Sequence, residues 1–185
     1  MNRIEKAVVF AAKAHAGAIR KGTDRAYILH PLEAMSIVMK LTDDEDVIAA
    51  AVLHDILEDT SVTRERLEKE FGSRIAALVA SVSEDKKKDL PAEATWKDRK
   101  QLTIEQLKAA DRNTKILCLG DKLSNLRDMS NDYEDAGDEL WERFNQKDKR
   151  MHEWYYREIF KILSLEFKET VEMYEFEWAL DTLFG

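Results

Sequence analysis

Cysteine is all but missing from this chain: Cys118 is the only one among 185 residues. One thiol closes no internal disulfide, so the fold is expected to stand on packing alone, in a reducing compartment such as the cytoplasm. Proline (2) and glycine (6) are also scarce, which removes most strand-turn signals and favours helices. Long apolar runs are absent. The longest, residues 47–53, is far short of the roughly 20 residues a membrane span requires, so no membrane segment is expected. The first ten residues interrupt their apolar side chains with charges and do not read as a signal peptide. An excess of positive charge is missing too. At a formal net charge of -8 the chain lacks the basic surface that sequence-independent nucleic-acid binding uses, whereas a small anionic ligand at a local basic cluster remains compatible. No segment alternates at period two, and no internal repeat is apparent.

What is present reads as helix. Ile4, Ala7, Val8, Ala11 and Ala14 recur at helical spacing over residues 3–15, ahead of Gly17. A polar loop follows over residues 18–27. Pro31 fits the first turn of a second helix reaching about Lys40. Residues 42–45 can cap and start a third that continues to Asp59-Thr60. Thr63 caps a fourth ending at Phe71-Gly72, and residues 74–82 form a fifth, apolar on most sides. Residues 83–92 are expected to be a mobile, charged loop. Helices then cover about 96–110 and 114–129, with Ile116, Leu119, Leu123 and Leu126 inward and Gly120 at a close approach to a neighbour. An acidic loop is expected over 131–137, then helical patterns at 138–165 and 168–183. The fold class is all-α, a bundle of about eight helices in a single domain over residues 1–185, with a motif-bearing core to about residue 130 and a helical extension over about 138–184.

The chemistry concentrates in A-V-L-H-D-I-L-E-D-T, residues 51–60. His54-Asp55 interrupt an apolar run, and Glu58 and Asp59 follow one helical turn later on the same faces. Burying four titratable groups is costly without a purpose, and a divalent metal with a water to activate is one such purpose. Only four histidines exist: His15, His30, His54 and His152. His30 precedes Pro31 at a helix mouth. With His54, Asp55 and Asp121 it makes two imidazoles and two carboxylates, a set suited to Mn, Fe or Zn and lacking the thiolates that would single out zinc.

The pieces A-H-A-G-A-I-R-K-G (14–22), Y-I-L-H-P-L (27–32), the 51–60 run, Phe71-Gly72 and L-G-D-K-L-S-N-L-R (119–127) together resemble the HD-domain phosphohydrolases. They are most similar to the alarmone-hydrolase branch, the hydrolase domain of RelA/SpoT enzymes and its small free-standing relatives, over about the first 130 residues. That resemblance implies one metal, usually manganese, with zinc, iron or magnesium as alternatives, held by His30, His54, Asp55 and Asp121. It implies that Glu58 and Asp59 handle the attacking water, that Arg20 and Lys21 lie near substrate phosphates, and that Asn125 lines the substrate site. A guanidinium fork and an ammonium are what a polyphosphate needs. The implied activity is removal of the 3′-pyrophosphate of (p)ppGpp, by a hydrolase without a synthetase half. The alternatives are another nucleotide phosphate as substrate, or a non-catalytic alarmone-binding domain. The expected partner is a small nucleotide, with neither nucleic acid nor membrane; a homo-oligomer is left open. The last third departs from the family pattern. There Trp141, Tyr155 and Tyr156 are either base-stacking side chains or, as their helical spacing favours, core.

Overall fold

The computed structural model describes residues 1–84 and 91–185. Most of the mobile, charged loop expected over 83–92 therefore lies outside the described residues. Among those described there are ten α-helices, α1 (Arg3–Ala14), α2 (Leu29–Val38), α3 (Glu45–Leu53), α4 (Ile56–Asp59), α5 (Arg64–Phe71), α6 (Ser73–Val82), α7 (Ala92–Ala109), α8 (Arg112–Ala136), α9 (Lys149–Phe167) and α10 (Val171–Phe184). One 3₁₀ helix, Gly137–Arg143, lies between α8 and α9. No strand occurs among the described residues; an isolated bridge between Ile19 and Ala26 closes the 18–27 loop. The all-α class holds.

Three expectations change. The single helix expected to run to Asp59-Thr60 breaks at His54-Asp55 into α3 and α4, although neither glycine nor proline is present there. Asp55 adopts φ -90°, ψ -1°, a turn conformation rather than a helical one, and its carbonyl accepts from the amides of Glu58 and Asp59 to start α4. The acidic loop expected over 131–137 is instead the last turns of α8, which runs to Ala136. The helix expected over 138–165 is two elements, the 3₁₀ turn and α9, with Asp148 accepting from the Arg150 amide as the α9 cap. The expected total of about eight helices rises accordingly.

The chain folds into two compact units. The first combines residues 1–83 with 111–124. Its centre is α3, on which α1, α2 and α6 pack. Every residue from Val47 to Leu53 is buried, as expected of a helix that is apolar all round. Asp44 caps α3 by accepting from the Asp46 amide, and the Arg74 guanidinium bridges Asp44 and Asp46 from α6. Gly120 on α8 meets α2: a β-carbon built there would lie 2.6 Å from Val38 Cγ2 and 2.9 Å from the Ala34 carbonyl oxygen. The close approach expected of Gly120 is therefore present, and it sets the residue beside Asp121 against the helix that carries His30.

The second unit combines residues 84–110 with 125–185. Here α7 packs on α9 and α9 on α10 around an aromatic core. His152 is buried with its ring centroid 5.4, 5.1 and 5.2 Å from those of Trp96, Trp141 and Phe144, and its Nε2–H donates to the Gln146 carbonyl at 2.7 Å. Trp141 also stacks on Phe184. Arg99 is buried, donating to Glu84, to Thr95 Oγ1 and to the Ala92 carbonyl, while Lys100 binds the other Glu84 oxygen at 2.7 Å.

Candidate metal centre and active site

Three segments of the first unit converge. α2 supplies His30, the α3–α4 break supplies His54 and Asp55, and α8 supplies Asp121. The two imidazoles are almost fully buried, at 3% exposure each. His30 Nε2 lies 3.2 Å from His54 Nε2. Asp55 Oδ2 is 3.4 Å from His30 Nε2 and 3.1 Å from His54 Nε2. Asp121 Oδ1 is 3.4 and 3.7 Å from the same two atoms. Two ligand atoms about 2.1 Å from a common ion and 90–109° apart would be separated by roughly 3.0–3.4 Å; the separations here match that range except the wider 3.7 Å from Asp121 Oδ1 to His54 Nε2.

The hydrogen-bond pattern strengthens the fit. His54 Nδ1 lies 2.7 Å from the Ala51 carbonyl, which can only accept, so Nδ1 carries hydrogen and Nε2 presents its lone pair. The same bond satisfies a carbonyl left open at the end of α3. His30 Nδ1 lies 2.8 Å from Ser124 Oγ, and Ser124 Oγ donates to Glu33 Oε2 at 2.8 Å. Both Nε2 atoms thus face each other as acceptors, an arrangement that needs a cation between them. Without metal a proton takes that role. Burial disfavours charge on His54, but the Asp55 and Asp121 carboxylates outweigh it and push its pKa up to about 9. Burial likewise pushes Asp55 and Asp121 up. For Asp55 the neighbouring imidazoles overcome this, and for Asp121 the Lys122 ammonium and then the imidazoles, so both carboxyls are held well below the usual carboxylate range. Asp121 is shared: Oδ1 faces the imidazoles while Oδ2 accepts from Lys122 Nζ at 2.6 Å.

Around this centre, Tyr27 OH lies 2.5 Å from Asp55 Oδ2 and 2.9 Å from Asp59 Oδ2, tying a proposed ligand to a proposed water-handling carboxylate. Burial and these two carboxylates raise the Tyr27 pKa far above its ordinary value, so the phenol stays protonated. Arg20 sits over the Tyr27 ring at 5.7 Å from its centroid. Lys21 is exposed on the same loop, Glu58 is half-buried on α4 and Asp59 is exposed at its end. His15 is buried against Tyr27, with ring centroids 5.0 Å apart; its Nε2 meets no hydrogen-bond partner among the described residues, and burial lowers its pKa despite the nearby Asp55 and Asp59. Asn125 lies on α8 four residues after Asp121, the first residue of the second unit's share of that helix.

The structure brings His30, His54 and Asp121 together, with ligand atoms all within 4.8 Å of one another, sets Asp55 against both imidazoles and joins it through Tyr27 to Asp59, and places Arg20 against Tyr27. It also recruits Tyr27, Glu33, Ser124 and Lys122, which sequence reading did not select. Their spacing carried a faint signal: Tyr27 and Glu33 flank His30 by three residues, and Ser124 follows Asp121 by three. Trp141, Tyr155 and Tyr156 are buried in the second unit and pack as core, the reading their helical spacing favoured. Among the described residues, no helix is long and apolar enough to cross a membrane.

A family profile described as an HD domain matches residues 7–147. A human protein named guanosine-3′,5′-bis(diphosphate) 3′-pyrophosphohydrolase MESH1 is 36% identical over 128 residues, covering 68% of this chain and 68% of that one. Its Xenopus tropicalis counterpart is 38% identical over 130 residues, covering 68% and 69%. A Myxococcus xanthus protein named GTP pyrophosphokinase is 34% identical over 129 residues, but this chain covers only 17% of its length. Among solved structures, one described as a metazoan ortholog of SpoT that hydrolyzes ppGpp superposes with a TM-score of 0.74 at 26% identity, covering 100% of this chain and 94% of that one. A Listeria monocytogenes protein superposes at 0.72 with 29% identity, over 84% and 98%.

Proposed function

Because the chain belongs to the HD-domain family, whose fold holds a divalent metal ion, we propose that it is a metal-dependent hydrolase removing the 3′-pyrophosphate of (p)ppGpp. The observation that carries this reading is the nest of His30, His54, Asp55 and Asp121 atoms, each imidazole nitrogen within 3.7 Å of both carboxylate oxygens, in a chain similar to proteins named for that activity. Those four residues hold the ion, which we take to be manganese. When bound, such an ion supplies Lewis acidity at a phosphoryl oxygen and makes hydroxide available near neutral pH.

The remaining steps belong to side chains. Asp59, steadied by Tyr27 OH, and Glu58 orient the attacking water and take its proton, a contribution of about 10²–10⁴ in rate. Arg20 and Lys21 neutralise charge that builds on the departing pyrophosphate, and Asn125 contacts the nucleotide. The products are pyrophosphate and GDP or GTP, and the working compartment is the cytoplasm.

The test is release of pyrophosphate from ppGpp by pure, Mn²⁺-loaded protein, abolished by EDTA. Intact ppGpp under those conditions would sink the proposal. A second reading keeps the chemistry and changes the base or ester, because the aromatics considered for base stacking are buried. Faster turnover of a nucleotide lacking a 3′-phosphate would favour it.

A further inference from the structure

We propose that Ser124 and Glu33 are positioning residues for the metal centre, a hydroxyl and a carboxylate in series that fix the tautomer and ring orientation of His30. The inference rests on the metal-site reading above and adds two side chains to it.

The argument is one of hydrogen count. Ser124 Oγ has one hydrogen and two polar neighbours, Oε2 of the half-buried Glu33 and Nδ1 of the buried His30, each at 2.8 Å. A carboxylate oxygen only accepts, so the hydroxyl hydrogen goes to Glu33 and Oγ must accept from Nδ1–H. The reverse assignment would set the carboxylate against an oxygen lone pair inside a site where Ser124 is fully buried, which is strongly unfavourable. With Nδ1 protonated, Nε2 of the neutral ring is left as an acceptor aimed at His54 Nε2, Asp55 Oδ2 and Asp121 Oδ1.

The two imidazoles are thereby oriented by different means. His54 uses a main-chain carbonyl of its own helix, which no substitution removes. His30 depends on side chains from two helices, and the helices trade partners. α2 carries His30 and, three residues on, Glu33; α8 carries Asp121 and, three residues on, Ser124. Each helix thus contributes one ligand, and Ser124 on α8 holds the ligand on α2. A hydroxyl–carboxylate pair behind the ring also makes Nε2 a stronger donor to a cation, as partners behind metal-bound histidines generally do.

The experiment is Mn²⁺ affinity by chelator competition on the full chain, for wild type, Ser124→Ala and Glu33→Gln. Ser124→Ala is expected to weaken Mn²⁺ binding by about 10- to 100-fold, the usual effect of removing such a partner. Glu33→Gln keeps an acceptor for the hydroxyl and should lose far less affinity than Ser124→Ala, while its urea midpoint without metal stays at the wild-type value, a pattern that general damage to the fold does not produce. In the Zn²⁺-loaded wild type the His30 Nδ1–H resonance should exchange slowly with water, and in Ser124→Ala it should be lost to exchange. A Ser124→Ala chain that binds Mn²⁺ within twofold of a binding wild type overturns the relay alone. A wild type that binds no Mn²⁺ overturns the metal centre and the relay with it.

Discussion

Replacing Gly120 by alanine sets two helical effects against each other, and the structure decides between them. On propensity alone the change should stabilise α8 by about 1 kcal/mol. The added methyl, however, would stand 2.6 Å from Val38 Cγ2 and 2.9 Å from the Ala34 carbonyl oxygen. Ordinary contacts lie at about 3.5–4.0 Å, so the two helices must part by roughly 1 Å. Val38 can turn aside, but the Ala34 carbonyl belongs to the α2 backbone and moves only with the helix. Overpacking of this kind costs about 1–3 kcal/mol, and a backbone obstacle puts it at the upper end, leaving a net loss of about 2 kcal/mol. With a denaturant slope near 2 kcal/mol/M, the urea midpoint should fall by about 1 M. Ala34 is one turn from His30, and Gly120 adjoins Asp121, so the separation also widens the 3.4 Å gap between those side chains, and Mn²⁺ affinity should fall with stability. Adding Val38→Ala should recover only part of the loss, because the carbonyl remains. A Gly120→Ala chain as stable as wild type, or more so, would refute the packing argument and leave propensity in charge.

Other substitutions probe the same geometry. Tyr27→Phe removes the hydroxyl that links Asp55 to Asp59; hydrogen bonds to charged groups are worth about 1.5–3 kcal/mol, so kcat on ppGpp should fall at least about tenfold with little change in KM, and an unchanged kcat would remove Asp59 from the water-handling role. Burial among Trp96, Trp141 and Phe144 lowers the His152 pKa below its ordinary value of 6.5, despite the Gln146 carbonyl. The unfolded chain therefore binds the proton more tightly, and this contribution to stability is present above pH 6.5 and lost as pH falls below it. His152→Asn should flatten that part of the urea-midpoint profile between pH 7 and pH 5; an unaltered profile would show that His152 does not titrate with folding. Arg99→Leu strips Glu84 of one of the two cations that pair with it among the described residues, in a largely buried setting, and stability should drop by about 3 kcal/mol, read from the urea midpoint, with a neutral outcome excluding a structural role for the pair.

Much of this site was legible in the residue order because chemistry and spacing coincide at a few positions. His54-Asp55 inside an apolar run, His30 before a proline and Asp121 in a helical repeat all stand out as polar groups in costly places. The break at His54-Asp55 was not legible. It carries no glycine or proline, and the partners its two side chains meet, Tyr27, His30 and Asp121, are distant in sequence. Residues 131–136 misled in the opposite sense: an acidic, turn-prone composition yields to a helix already under way from Arg112. Ser124 and Glu33 were invisible as a pair for a different reason. They are 91 positions apart, and only the approach of α8 to α2 at Gly120 puts a hydroxyl between an imidazole and a carboxylate.

The division of the chain into two units has a consequence for the order in which the site is assembled during synthesis. The first unit is discontinuous, interrupted by residues 84–110 and completed only by residues 111–124. His30, His54 and Asp55 leave the ribosome early, but Asp121 and Ser124 follow after the whole insertion. At about 5–20 residues per second, the 66 positions between Asp55 and Asp121 correspond to roughly 3–13 s in which α3 and the two imidazoles wait for their closing helix. Through that interval the nascent chain carries His30, His54 and Asp55 without Asp121, and α2 lacks the helix whose Gly120 packs against Ala34 and Val38.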